Sequence, residues 1–263
     1  MNDVKVAEHI VNWMTSYAQN ARAKGFVIGI SGGVDSALTS TLCALTGLDV
    51  TVVSLPIHQK WAELNRADLH IQWLSENFPN VRAVTVELSA AFDEMQKCLP
   101  EASSAHFLAM ANTRARLRMT TLYAVAQPLS CLVAGTGNKI EDFGVGFYTK
   151  YGDGGVDLSP IADLTKTQVR ALARHLNLLK ELSEAPATDG LWEDGRTDED
   201  QLGATYPELE WAMDYIENNR TENAEETLTN RQKEVIEIYT RLNKQNQHKM
   251  NPIPVCIIPK ELL

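Results

Sequence analysis

The run Gly25-Phe-Val-Ile-Gly-Ile30 passes directly into Ser31-Gly-Gly-Val-Asp-Ser36. A continuous apolar run without polar alternation is what an interior strand of a parallel sheet requires, because both of its faces are covered. The turn after it opens a helix predicted over residues 36–45 and ended by Gly47. Its amides and the helix N-terminus therefore converge on one space, a cradle for negative charge. Gly32 and Gly33 let the backbone approach phosphates closely, Ser31 and Ser36 add hydroxyl donors, and Asp35 can hold a magnesium ion. A Walker loop would end in Gly-Lys-Ser/Thr; here there is no lysine and an aspartate precedes the last serine, which points away from γ-phosphoryl transfer. An ordinary strand-to-helix turn capped by serine uses some of the same residue types. The whole hexapeptide in its strand-helix context favours the phosphate cradle.

Further apolar runs at residues 50–55, 81–88 and 131–135 read as strands, separated by helix-period segments. Trp61, Leu64, Ile71, Leu74 and Phe78 mark one helical face, and a longer helix is predicted over about residues 105–126 with Pro128 as its stop. Another opens at Leu164-Thr-Lys-Thr-Gln168 and buries Val169, Leu172 and Leu176, and two more are predicted near residues 207–219 and 231–242. The pattern predicts an α/β fold: a parallel sheet of about five strands with helices on both faces, plus C-terminal helical segments. Residues 1–263 read as one domain. The polar, acidic stretch 183–203 reads as a long loop, with a mobile segment expected over 181–204. Residues 244–263 read as a tail over the site.

The formal charge of −10 disfavours nucleic acid or an anionic membrane as the main partner. Four scattered cysteines form no metal-binding or disulfide pattern. Without a signal-like start or a run of roughly 20 apolar residues, a soluble cytoplasmic protein is expected.

The second informative stretch runs Gly135-Thr-Gly-Asn-Lys-Ile-Glu-Asp-Phe-Gly-Val-Gly-Phe-Tyr-Thr-Lys-Tyr-Gly-Asp-Gly-Gly-Val-Asp157, just past a strand. In an open parallel sheet ligands bind beyond the carboxyl ends of the strands, so this stretch and the phosphate loop should converge. Glu141 then becomes a second magnesium ligand beside Asp35. Lys150 can meet a phosphate or carboxylate, and Asp153 and Asp157 can accept hydrogen bonds.

Ser31 to Ser36 resembles the loop of the N-type ATP pyrophosphatases, of adenine-nucleotide α-hydrolase-like fold. The segment Phe147-Tyr-Thr-Lys-Tyr-Gly-Asp-Gly-Gly-Val-Asp157, followed by Leu164-Thr-Lys-Thr-Gln168, resembles the ammonia-dependent NAD synthetases. The resemblance extends from the first strand to the tail. It implies an ATP site made by Gly29, Ile30, Ser31, Gly32, Gly33, Val34, Asp35 and Ser36 with Thr136, Lys166 and Thr188. Asp35 and Glu141 are implied as Mg2+ ligands. Arg116, Lys150, Asp157, His248 and Lys249 are implied as contacts to deamido-NAD, and a homodimer as the assembly. Asp153, as the group that orients or deprotonates incoming ammonium, and Lys166 are the expected catalytic residues.

Two departures stand out. Pro186-Ala-Thr-Asp-Gly-Leu191 replaces the family's Pro-Ser/Thr-Ala-Asp-Leu, moving the hydroxyl to Thr188, and Gln201 stands where an acidic residue is common. The expected reaction is amidation of deamido-NAD: its carboxylate attacks the α-phosphate of ATP, pyrophosphate leaves, and ammonia displaces AMP from the acyl-adenylate. Residues 1–25 cannot supply an amidase domain, so free ammonia is the expected nitrogen donor. The competing readings are the same loop serving another acceptor (a tRNA base, xanthosine monophosphate or citrulline) and a nucleotide-binding module without catalysis.

Overall fold

The computed structural model describes residues 1–59, 61–185, 187–188, 197–218 and 228–263, and for 61–63 the backbone alone. The expected apolar contribution of Trp61, and the Pro186 and Gly190 departures, lie outside what is described.

The chain begins with helix α1 (Asp3–Asn20) and strand β1 (Gly25–Gly29), then α2 (Val34–Leu45), β2 (Asp49–Ser54), α3 (Trp61–Asn77) and β3 (Val81–Thr85). Helices α4 (Ser89–Cys98), α5 (Glu101–Ser104) and α6 (Phe107–Leu129) lead to β4 (Cys131–Val133). Among the described residues the sheet has four parallel strands in the order β3-β2-β1-β4. Ala134 and Leu158 extend its edge by one isolated parallel bridge.

β1 is central and covered on both sides, as its unbroken apolar sequence requires. Phe26 and Ile28 pack into one core with α1, α2 and Leu172, while Val27 faces the other core with Met119 and Leu122 of α6. Alternation along the strand thus feeds two apolar layers, one on each face. β3 is an edge strand, and only its first residue is buried.

Pro128 does not stop α6, which continues to Leu129. Ser130 ends it in the left-handed conformation, φ 55°, donating its N–H to Ala126 and Gln127 carbonyls. Proline removes one donor but leaves the last turn free to close this way.

After β4 the chain makes a π-helical turn (Ile140–Val145), then α7 (Lys166–His175) and α8 (Lys180–Ser183). Within the stretch expected to be loop, Asp198–Leu202 forms a short helix, α9, because Thr197 and Asp200 make a reciprocal capping box. α10 (Tyr206–Asn218) and α11 (Asn230–Met250) pack with the π-helical turn as a third apolar cluster.

α11 extends eight residues past the predicted end at Leu242. Its polar continuation is anchored by Asn243 Nδ2 to Gly144 O (2.7 Å) and Asn246 Nδ2 to Val145 O (2.8 Å). His248 and Lys249 therefore belong to the last helical turn, and only residues 251–263 form a tail, which is exposed throughout. Gly146 makes this packing possible: it sits at φ 65°, and a Cβ there would lie 2.3 Å from Asn246 Cβ.

Candidate active site

Beyond the carboxyl ends of β1, β2 and β4 lies a cavity of about 690 Å³, within the range of small-ligand sites. Gly29 to Asp35 form one wall, the end of β2 and α6 a second, and Thr136, Glu141 and residues 146–149 a third.

The phosphate loop is held by its own hydroxyls. Ser36 Oγ accepts from Ser31 N (3.3 Å), donates to Gly33 O (3.0 Å) and meets Ser31 Oγ at 3.0 Å. Ser36 is 2 % exposed and does not line the cavity, so it shapes the loop from within. Gly32, at φ 84°, takes a conformation that favours glycine. The helix it introduces, α2, has Gly33 as N-cap with no side-chain cap hydrogen bond among the described residues, and the Gly33 amide itself donates to Ser31 Oγ at 3.3 Å.

At the floor, Lys166 Nζ lies 2.5 Å from Asp35 Oδ2 and 3.0 Å from Glu141 Oε1. Burial works against the ammonium, but the two carboxylates outweigh it and hold Lys166 above the ordinary lysine value. Burial raises the Asp35 carboxyl, with Lys166 opposing. Asn138 Nδ2 donates to Asp35 Oδ1 at 3.3 Å, and Tyr206 OH donates to Glu141 Oε1 at 2.5 Å. The Tyr206 ring faces the Lys166 ammonium at 4.8 Å.

Two hard oxygen donors brought this close fit magnesium, which binds through one or two carboxylates with the remainder of its shell from phosphates and water. Among the described residues no cluster of three or more histidine, cysteine or acidic side chains forms an all-protein cage.

Asp153 lines the cavity and accepts the Thr149 amide at 2.9 Å. Surrounding protein atoms push its carboxyl up to about 6, against that hydrogen bond. Lys249 Nζ donates to Gly146 O and Tyr148 O at 2.8 and 2.9 Å and also lines the cavity. Thr136, Thr188 and Gln201 line it too.

Four of the residues expected to meet deamido-NAD lie outside the cavity. Arg116 Nε donates to Lys150 O (3.2 Å), and Lys150 Nζ donates to His248 O (2.5 Å), so these three gather on a neighbouring surface. Asp157 is committed to the fold: its carboxylate accepts Val133 N at 2.8 Å and Tyr123 OH at 3.0 Å.

Arg114, Arg116 and Arg118, at alternate positions of α6, diverge as helical geometry demands. Arg114 stacks on Phe92 at 5.0 Å, Arg116 faces Lys150, and Arg118 lines the cavity, where it donates to Leu55 O (3.0 Å) and Gln59 Oε1 (2.7 Å). Arg118, Asn138 and Tyr206 were not anticipated. The spacing of Arg118 from Arg114 and Arg116 carries a usable signal; Tyr206 carries none, since a tyrosine at a helix start reads as ordinary core.

The model of the NAD synthase family matches residues 6–253. The NH(3)-dependent NAD(+) synthetase of Carboxydothermus hydrogenoformans is 35 % identical over 245 residues, covering 92 % of this chain and 93 % of the relative. That of Mesoplasma florum is 40 % identical over 205 residues, covering 77 % of this chain and 81 % of the relative. Among solved structures, the NMN synthetase of Francisella tularensis superposes with TM-score 0.82 at 29 % identity over 99 % of each chain. The NH3-dependent NAD synthetase of Campylobacter jejuni does so with TM-score 0.79 at 26 % identity, over 98 % of this chain and all (100 %) of the other. The phosphate loop, the carboxylate-lysine floor and the glycine-rich loop above it are thus carried by a chain that belongs to the NAD synthase family.

Proposed function

We propose that this chain amidates the nicotinate carboxylate of deamido-NAD, using ATP and ammonia and passing through an acyl-adenylate. The observation that carries the reading is the joining of Asp35, Glu141 and Lys166 at the mouth of a lysine-free phosphate loop.

A carboxylate is a poor acylating agent because its leaving oxygen is too basic, and adenylation corrects that. The Gly32 amide and the α2 N-terminus bind the leaving pyrophosphate by preorganised positive dipoles. Magnesium, held by Asp35 and Glu141, would supply the charge that offsets the phosphates when bound. Lys166 brings a cation to the same oxygens. Asp153, at the glycine-rich loop, accepts a proton from ammonium or orients it, so that ammonia attacks the acyl carbon and AMP departs with the bonding pair. Lys249, at the cavity, and Arg116, Lys150 and His248, on the neighbouring surface, are assigned to the dinucleotide acceptor, with a homodimer as the working assembly.

The likeness to the Francisella NMN synthetase supports one second reading, in which the acceptor is nicotinate mononucleotide. One assay separates the possibilities: amide product is measured with ATP, ammonium and either acceptor, and glutamine replaces ammonium in a parallel series. NAD formation from deamido-NAD with ammonium supports the proposal, preference for the mononucleotide transfers it to the second reading, and reaction with glutamine alone refutes ammonia as the donor.

A further inference from the structure

The carboxylates assigned to a divalent cation already share a cation of the chain's own. Lys166 is 3 % exposed, and its ammonium touches both Asp35 Oδ2 and Glu141 Oε1. Helix formation does not ask for it there, since a positive charge in the first turn of α7 opposes the helix dipole. Burial of an ammonium is costly unless it is paired.

The surroundings are built to seat it. The Tyr206 ring lies beneath the charge, Tyr206 OH donates to the same Glu141 oxygen that accepts Lys166, and Asn138 holds the other oxygen of Asp35. The capping box of Thr165 and Gln168 fixes the turn that carries the lysine.

We propose that Lys166 is a built-in counter-ion of the divalent-cation site: it holds Asp35 and Glu141 together in the nucleotide-free protein and leaves at least one of them when metal and nucleotide arrive. The inference rests on Asp35 and Glu141 being the metal carboxylates. Two carboxylates and one ammonium carry a net charge of about −1, and a dication added beside an unmoved ammonium would repel it strongly in so buried a place. The phosphates of ATP give the displaced ammonium a destination in the adjoining loop. Lys166 thereby weakens metal binding until nucleotide arrives, a role additional to contacting phosphate.

The test uses the full chain without nucleotide, titrated with Mn2+ while free ion is read by electron paramagnetic resonance. Lys166→Met should bind Mn2+ at least ten-fold tighter than the unsubstituted protein, and Asp35→Asn should bind it more weakly. A Lys166→Met affinity equal to or weaker than that of the unsubstituted protein overturns the counter-ion role, while a weakened Asp35→Asn leaves the metal assignment standing. Unchanged binding by Asp35→Asn removes the metal assignment and the inference with it.

Should Lys166→Met fail to fold, the unsubstituted protein decides. The Lys166 ammonium resonance in protein labelled with 15N-lysine, assigned by its loss in Lys166→Arg, should move when Mg2+ and a non-hydrolysable ATP analogue are added. An unmoved resonance at saturation overturns the proposal.

Discussion

Replacing Tyr206 with phenylalanine removes one oxygen from the floor of the site and leaves everything else in place. Tyr206 is 2 % exposed, and its hydroxyl donates to Glu141 Oε1 at 2.5 Å and approaches Asp198 Oδ2 at 3.3 Å. The ring stays, so the packing of the third apolar cluster and the face presented to Lys166 are retained. What is lost is one buried hydrogen bond to a charged acceptor, about 1.5–3 kcal/mol. Lys166 remains as a partner of Glu141, which keeps the loss near the middle of that range, about 2 kcal/mol. For a chain of this size each kcal/mol moves the melting temperature by roughly 2–4 °C, so Tyr206→Phe should melt about 4–8 °C lower. Differential scanning calorimetry gives the shift. Its kinetic counterpart is a higher Mg2+ requirement, since Glu141 loses the donor that orients it, with the Michaelis constant for ammonium little changed. A melting temperature within 1 °C of the unsubstituted protein, together with an unchanged Mg2+ requirement, refutes the claim that this hydroxyl organises the site.

Three further outcomes are expected. His70 is wholly buried against Ser40 Oγ at 2.9 Å, and burial lowers it from 6.5 to about 4, so the folded protein keeps it neutral while the unfolded chain charges it below pH 6.5. The stabilisation is complete above pH 6.5 and is lost as pH falls toward 4, by about 3 kcal/mol, and urea unfolding of His70→Gln should show a flatter profile over that window. With the Asp153 carboxyl pushed up to about 6, turnover supported by ammonium should fall below pH 6 as the group takes up a proton, and the ratio of Asp153→Asn to unsubstituted rates should level out there. At the start of β1, a Cβ on Gly25 would sit 1.8 Å from Asp49 O in the paired strand, so Gly25→Ala should destabilise by about 3 kcal/mol or more, measured as a drop in the urea midpoint.

The parts of the site legible in sequence are those whose chemistry is local. Gly32, Gly33 and Asp35 occupy consecutive positions after an apolar strand, and the backbone alone brings them to the cavity. The helix opening expected at Leu164-Thr-Lys-Thr-Gln168 is where α7 starts, and the structure closes Thr165 and Gln168 into a capping box there. Ser36 was legible as a hydroxyl but not as an inward-facing brace, because its direction depends on the Ser31 and Gly33 contacts across the turn. The end of α11 is hidden from the sequence for a related reason: Asn243 and Asn246 look like solvent-facing residues until the carbonyls of Gly144 and Val145 are set beside them.

The parallel α/β class, the strand-to-loop-to-helix cradle and the family resemblance are all readable along the chain, because apolar continuity, glycine placement and short motifs are properties of neighbouring residues. It takes the folded chain to bring Asp35, Glu141 and Lys166, separated by 106 and 25 residues along the sequence, into one charge cluster with Tyr206 beneath it. The fold also separates Arg118, at the cavity, from Arg116, on the neighbouring surface. Contacts between distant segments follow from how the sheet, α7 and α10 pack against one another, and that packing is a sum over the whole core rather than a signal at any one position.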